Sequence, residues 1–354
     1  MLHWPYALPR CEPRGKSKTR IIPNGMRPFE SARTVKDDAL EFDLIARIRQ
    51  RAATRDDVIV GIGDDAAILS VPPGKQLVVA MDTLNAGVHF PADTAPADLG
   101  WKALAVNLSD LAAMAATPTW CTLSLSLPQS DAAWLDGFLD GFLDLAARHD
   151  VALVGGDTTR GPLSVCVTAH GLLDPRGALL RSGALAGDDV WVSGTLGDAA
   201  AALRQWRSGE PIDPALRARL DRPTPRIEAG LALAGIAHAC IDVSDGLLAD
   251  LGHVCRASRV GAEIDVAALP ASSALIAAFD TEARRELQAA GGDDYELCFT
   301  APKTARLAVQ DAMTACDLPT TRIGSITAET GKIVLRDAAG AEWSPLHAGY
   351  VHFG

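Results

Sequence analysis

The segment Lys102-Ala103-Leu104-Ala105-Val106-Asn107-Leu108-Ser109-Asp110-Leu111-Ala112-Ala113-Met114 constrains the fold more than any other. It reads as part of a helix from about Ala97 to Ala116 that is apolar nearly all round, and such a helix must be covered on every side. Asn107 and Asp110 lie three apart and therefore share a face. A buried carboxylate is expensive without a cation or several donors, so Asp110 asks for a partner. Two partners fit: a metal ion, or a salt bridge to Lys102 or a neighbour.

Layers that could wrap this helix are legible on both sides of it. Glu41–Ile48 has helical spacing, with Phe42, Ile45 and Ile48 on one face. Val58–Val60, Leu77–Met81, Cys121–Leu127, Val151–Val154 and Leu163–His170 read as strands, with a helix over Ala132–Arg148. Asp174-Pro175-Arg176-Gly177 is a turn signal. Beyond it strands are expected at Val190–Ser193, Cys240–Val243, near Ile264 and at Tyr295–Thr300, with helices between them. A chain of 354 residues exceeds one ordinary domain. The expected class is therefore α/β, mixed α+β, in two domains, 39–173 and 176–354. Residues 1–38 are expected to form a disordered basic tail, with Met26 as an alternative start. Residues 1–36 carry eight Lys or Arg against Glu12 and Glu30, so the rest of this −11 chain holds −17.

Four of the expected strands end in acids: Asp64/Asp65, Asp82, Asp157, and Asp242 with Asp245. A single Asp in such a place serves as a helix cap or turn residue. Four together suit Mg²⁺, which takes hard oxygen ligands and lets neighbouring carboxylates ionise side by side. The acidic balance excludes a nucleic-acid partner, since phosphate backbones select basic surfaces. No run approaches the roughly 20 apolar residues of a membrane helix. Seven scattered cysteines without C-x-x-C spacing fit a reducing, cytoplasmic setting rather than a disulfide scaffold or zinc site. Asp242-Val243-Ser244-Asp245-Gly246 fails as an EF-hand, because Gly stands fifth rather than sixth and the twelfth residue is His253.

Gly155-Gly156-Asp157-Thr158-Thr159 offers unobstructed backbone N–H groups for phosphate, although Gly-Gly-Asp is also ordinary turn chemistry. No G-x-x-x-x-G-K-[ST] and no kinase-type Gly-rich loop occurs, so phosphate chemistry here must rest on metal plus scattered arginines. Arg181, in Arg181-Ser182-Gly183-Ala184, and Arg226 are candidates for bridging phosphates, or else plain surface residues. His89 follows Asp82 closely enough to face a substrate, though a lone His is commonly structural. Spacing gives no Ser/His/Asp or Cys/His nucleophilic set and no general base.

Taken in order, these segments resemble the thiamine-monophosphate kinases, of the aminoimidazole-ribonucleotide synthetase superfamily. The matching pieces are Glu41-Phe42-x-Leu44-Ile45, Gly61-Ile62-Gly63-Asp64-Asp65, Asp82-Thr83-Leu84 with Gly87-x-His89-Phe90, and Lys102 to Met114. They continue with Gly155–Thr159, Arg181–Ala184, Ile241-Asp242-x-Ser244-Asp245-Gly246-Leu247, Gly292-Asp293-Asp294-Tyr295-Glu296-Leu297 and Gly349-Tyr350.

The resemblance implies a homodimer whose N-terminal domains join their sheets into a shared barrel, with nucleotide in a cleft beside that interface. It implies transfer of phosphate from ATP to thiamine monophosphate, giving thiamine diphosphate directly in line with several Mg²⁺ ions. Asp65, Asp82, Asp110, Asp242 and Asp245 are then metal ligands. Gly156, Asp157, Arg181 and Ser244 contact ATP, and His89, Asp293 and Tyr350 contact thiamine monophosphate, an acid suiting the cationic thiazolium. This chain has Ala80 and Met81 where the family often has Ser or Thr, so a metal ligand there could come only from backbone carbonyl. Asp293 stands where Glu is common. The rival readings are a sister ATP-using synthetase and a non-catalytic thiamine-phosphate-binding protein.

Overall fold

The computed structural model describes residues 35–347 and 349, with the side chains of 35–42 left out of account. Residues 1–34 of the expected basic tail, Met26, the side chain of Phe42 and Tyr350 lie outside the described residues, and residues 35–38, expected in that tail, instead begin the first helix.

The first helix, α1 (Val35–Arg51), buries Leu44 and Ile48 and leads to a small ladder of β1 (Val58–Val60) and β2 (Ile68–Leu69). A four-stranded sheet follows, in the order β3-β6-β4-β5: β3 (Gln76–Asn85), β4 (Thr117–Leu127), β5 (Ala152–Arg160) and β6 (Ser164–Leu173). β4 and β5 run parallel and the other pairings are antiparallel. Helices α2 (Pro96–Ala113) and α3 (Ala132–Arg148) belong to this half.

The second half is a seven-stranded sheet, β13-β12-β9-β11-β7-β10-β8. Its strands are β7 (Asp189–Ser193), β8 (Ala239–Asp242), β9 (Gly261–Asp265), β10 (Leu297–Ala301), β11 (Thr320–Thr327), β12 (Ile333–Arg336) and β13 (Glu342–Trp343). Around it lie α4 (Asp198–Ser208), α5 (Pro214–Asp221), α6 (Ile227–Leu233), α7 (Leu247–Ser258), α8 (Ser273–Ala278), α9 (Thr281–Ala290) and α10 (Arg306–Ala315).

Helix α2 is the element both halves share. Leu104, Leu108 and Leu111 are fully buried, and each contributes about 2 kcal/mol by leaving water. The helix packs on β3 and β6 in its own half and on α6 and β8 in the other. Trp101 Nε1 donates to the Pro223 carbonyl at 2.8 Å, fixing one end of that contact. Pro96 opens α2, where a missing N–H is harmless. It stops at Ala113 rather than Ala116 because Ala115 turns left-handed, φ 57°, while Ala116 N–H returns to the Leu111 carbonyl at 2.9 Å. Against α3 it packs backbone to backbone: a Cβ on Gly141 would stand 1.7 Å from the Ala97 carbonyl oxygen.

Two expectations about strand ends are corrected. Asp82 lies inside β3 and Asp157 inside β5, because both strands run three residues or more past the apolar stretch. The acids are set by alternation across a sheet, not by loops beyond it. The turn at 174–177 forms as expected, with Gly177 N–H donating to the Asp174 carbonyl at 2.9 Å. The six described cysteines are free, and Cys121, Cys240, Cys255 and Cys298 are buried among apolar neighbours. No described helix is long and apolar enough to cross a membrane.

Candidate active site

A cavity of about 880 Å³ opens between α2, β3 and the ends of β8 and β10. Asp82, His89, Asp110, Arg181, Asp242, Ser244, Asp245 and Asp293 all line it, so eight of the twelve candidate residues converge. Asp65, Gly156 and Asp157 line a second cavity of about 770 Å³ instead, with Ile45, Arg49 and the Gly61–Asp65 loop. The two cavities sit at opposite edges of the four-stranded sheet, the first at β3 and the second at β5.

Local structure explains how each acid is held. Asn107, buried in α2, accepts the Asp82 backbone N–H at 3.0 Å and donates to the Ala103 carbonyl at 3.0 Å. It therefore pins β3 to the helix, leaving the Asp82 side chain to the cavity. Ser109 Oγ donates to Asp242 at 2.7 Å, tying α2 to the end of β8. The salt bridge between Asp110 and Lys102 does not form; Lys102 turns to Asp293 at 3.2 Å.

The electrostatics follow from crowding these carboxylates out of water. Burial, with the charges of Asp242 and Asp82, pushes Asp110 up to about 8. Burial likewise pushes Asp242 up to about 6, against the Ser109 hydrogen bond. Asp82 is raised by burial, His89 opposing and Asp245 adding to the effect. Among the described residues, no three His, Cys, Asp or Glu side chains are gathered into a ready-made metal cage. The donor set nevertheless fits Mg²⁺: four carboxylates share one cavity wall, and Asp82, Asp110 and Asp242 resist ionising together without a cation.

Asp250 was not singled out by sequence. One of its oxygens accepts the N–H groups of Ser244 and Asp245 at 3.0 Å and of Gly246 at 3.2 Å, so it shapes the loop that carries Ser244 and Asp245. Burial, then Asp242 and Asp245, pushes it up to about 7 despite those donors. The signal was its place in the first turn of α7, where an acid meets free N–H groups. Ser258 was missed because its partners are distant in the chain: its hydroxyl accepts from Gly183 and Ala184 and donates to the Arg181 carbonyl, all at 3.1 Å, building the Arg181 loop from 75 residues or so away.

Gly156 answers a close approach. Its φ is +149°, and a Cβ there would lie 1.8 Å from the Leu123 carbonyl oxygen on β4. His89 Nδ1 accepts the Asn85 backbone N–H at 3.0 Å, which orients the ring at the cavity mouth. Arg226 is a correction: it does not face phosphate but pairs with the buried Glu296, at 2.8 Å through Nε. In Asp293-Asp294-Tyr295-Glu296 only Asp293 and Tyr295 reach the cavity. Asp294 turns inward to the Gly197 N–H, and Glu296 joins Arg219, Arg226 and Ser193.

Comparison with known proteins now decides the family. Residues 63–173 match the model of the AIR synthase related protein N-terminal domain, and 186–336 that of its C-terminal domain. The thiamine-monophosphate kinase of Escherichia coli K12 is 47% identical over 323 residues, covering 88% of this chain and 98% of that protein. The chain belongs to the thiamine-monophosphate kinase family. A crystal structure of the Stenotrophomonas maltophilia K279a member superposes with a TM-score of 0.78 at 54% identity, over 83% of this chain and 96% of that one. A solved complex of AaThiL with AMPPCP and TMP superposes with a TM-score of 0.70 at 32% identity, over 88% and 96% of the two chains. The expected mixed two-domain architecture is that of the family.

Proposed function

We propose that this protein transfers the γ-phosphoryl group of ATP to thiamine monophosphate, forming thiamine diphosphate. The observation that carries the reading is the convergence of Asp82, Asp110, Asp242 and Asp245 with Arg181, His89 and Asp293 on one cavity, in a chain that belongs to a kinase family. Bringing two polyanions together is the main obstacle to this reaction, and positioning supplies much of the rest. Mg²⁺ held by those four aspartates, with Asp65, would supply neutralising charge to both phosphates. Arg181 adds a fixed cation to the same wall, and Ser244 a hydroxyl. A phosphate monoester is already a nucleophile near neutral pH, so the residues have no proton to remove; the chain accordingly presents carboxylates for binding rather than a poised base.

The active unit in this proposal is a homodimer. β3 is an edge strand, and its Leu77, Val79 and Met81 are 48%, 56% and 63% exposed. An apolar edge of that length invites pairing. Closing two such sheets into one barrel lays β3 of one copy beside β5 of the other. That brings Asp65, Gly156 and Asp157 of the second copy to the cavity holding Asp82, which accounts for ATP-binding candidates that a single chain keeps apart. Residues 39–173 and 176–354 are the proposed domains, and the cytoplasm the proposed compartment, in keeping with free cysteines.

The test is coupled ADP release from Mg²⁺–ATP with thiamine monophosphate, thiamine and aminoimidazole precursors as separate acceptors. Turnover with thiamine monophosphate alone, abolished by EDTA, is expected. Turnover only with another acceptor would move the chain to a sister synthetase activity, and none at all to a binding role.

A further inference from the structure

Lys102 is a buried cation with an unusual duty. Its side chain is 1% exposed, in the middle of the apolar helix α2, and its ammonium has no hydrogen-bond acceptor in good geometry among the described residues. A lysine of this kind is costly to bury and is kept only where its charge is used. Its ion-pair partner is Asp293, with Nζ 3.2 Å from Oδ2. The other Asp293 oxygen, Oδ1, accepts the Tyr295 hydroxyl at 3.0 Å. The Asp293 backbone is fixed as well: its φ is +68°, a left-handed value, and its N–H donates to the Ser244 carbonyl at 2.8 Å. Asp293 thus reaches the cavity wall with both carboxylate oxygens already held, while 28% of its side chain remains exposed there.

Asp221 also lies within the field of Lys102, but Asp221 has its own partner in Arg217. The pairing with Asp293 is therefore the one that bears on the cavity. It also revises the simple charge match between Asp293 and a thiazolium ring. A carboxylate backed by an ammonium offers the ligand aimed lone pairs more than net negative charge.

We propose that Lys102 is a positioning residue for the acceptor substrate: it locks Asp293 in one orientation on the cavity wall while touching no substrate itself. The proposal rests on the kinase reading above. The test compares Lys102→Met, Asp293→Asn and the double variant in steady-state kinetics, with thermal melts on each to follow folding. Methionine keeps the length and apolar stem of lysine, so packing in α2 is preserved. Lys102→Met should raise KM for thiamine monophosphate about 10- to 100-fold, at the low end of the loss seen when one partner of a desolvated pair is removed, because Lys102 acts only through Asp293. kcat and KM for ATP should stay within about threefold. In the Asp293→Asn background the same change should add less than about threefold, because the lock is already gone. A lowered melting temperature with unchanged KM for thiamine monophosphate would make Lys102 merely structural and overturn the proposal. Multiplying KM effects in the double variant would overturn it too. Silence of the wild-type protein toward thiamine monophosphate would sink the kinase reading itself, whereas either of the other failures in an active enzyme sinks the lock alone.

Discussion

Asp110→Asn should make the metal-free protein more stable and the enzyme inactive. In the absence of metal, burial and the charges of Asp242 and Asp82 hold the Asp110 carboxyl up at about 8, against an ordinary 3.8. A folded-state pKa above the unfolded one means that the folded chain binds the proton more tightly. Stability relative to the Asn variant is therefore lost progressively as pH rises from about 4, and the loss is complete above about 8. Each pH unit inside that window costs up to about 1.4 kcal/mol. Asp110 is partly exposed, and solvent screening roughly halves the figure. From pH 6 to pH 8 the gap between variant and wild type should then widen by about 1.2 kcal/mol, or about 2 °C in melting temperature for a chain of this length. The assay is a pair of thermal melts in EDTA at each pH, followed by turnover with excess Mg²⁺. Variant melts that run parallel to the wild type from pH 6 to pH 8 would refute the crowding of these carboxylates. A variant that keeps full turnover would refute their use as metal ligands.

Asp82→Asn should remove most turnover while leaving the melting temperature within a few degrees, because the strand is pinned through the Asp82 backbone N–H rather than its carboxylate; an active variant would refute the metal assignment. Mixing inactive Asp82→Asn with inactive Asp157→Ala, after unfolding and refolding together, should restore part of the activity. Mixed dimers would then contain one intact site, and mixtures that stay silent would exclude a site shared across β3 and β5. Gly156→Ala should cost about 2–3 kcal/mol or more in stability, since its Cβ meets the Leu123 carbonyl at 1.8 Å with no flexible neighbour to yield; melts within about a degree of wild type would contradict the geometry of β5.

Much of this was legible in the sequence because its strongest signals are local. An apolar helix with Asn107 and Asp110 on one face can be read from spacing alone, and α3 begins and ends where its pattern does. The acids were legible as a class, but their placement was not. Asp82 and Asp157 were assigned to strand ends because the polar residues that continue β3 and β5 resemble loop sequence, whereas sheet pairing carries both strands onward. Ser258 and the Lys102–Asp293 pair depend on contacts far apart in the chain, so no window of sequence contains them, whereas Asp250 bonds the loop just before it and was within reach of a capping argument. Arg226 shows the converse: a lone arginine after prolines looks like a phosphate clamp until its distant partner, Glu296, is seen. The assignment of Asp65, Gly156 and Asp157 to the same site as Asp82 remains a statement about a dimer, since one chain holds them in two cavities.

The central claim is the transfer itself, and isotopic labelling follows it most directly. With ATP carrying labelled γ-phosphate, Mg²⁺ and thiamine monophosphate, the label should appear in the terminal phosphate of thiamine diphosphate, and EDTA should abolish its appearance. Label released only as inorganic phosphate, or found on a different acceptor, would contradict the account.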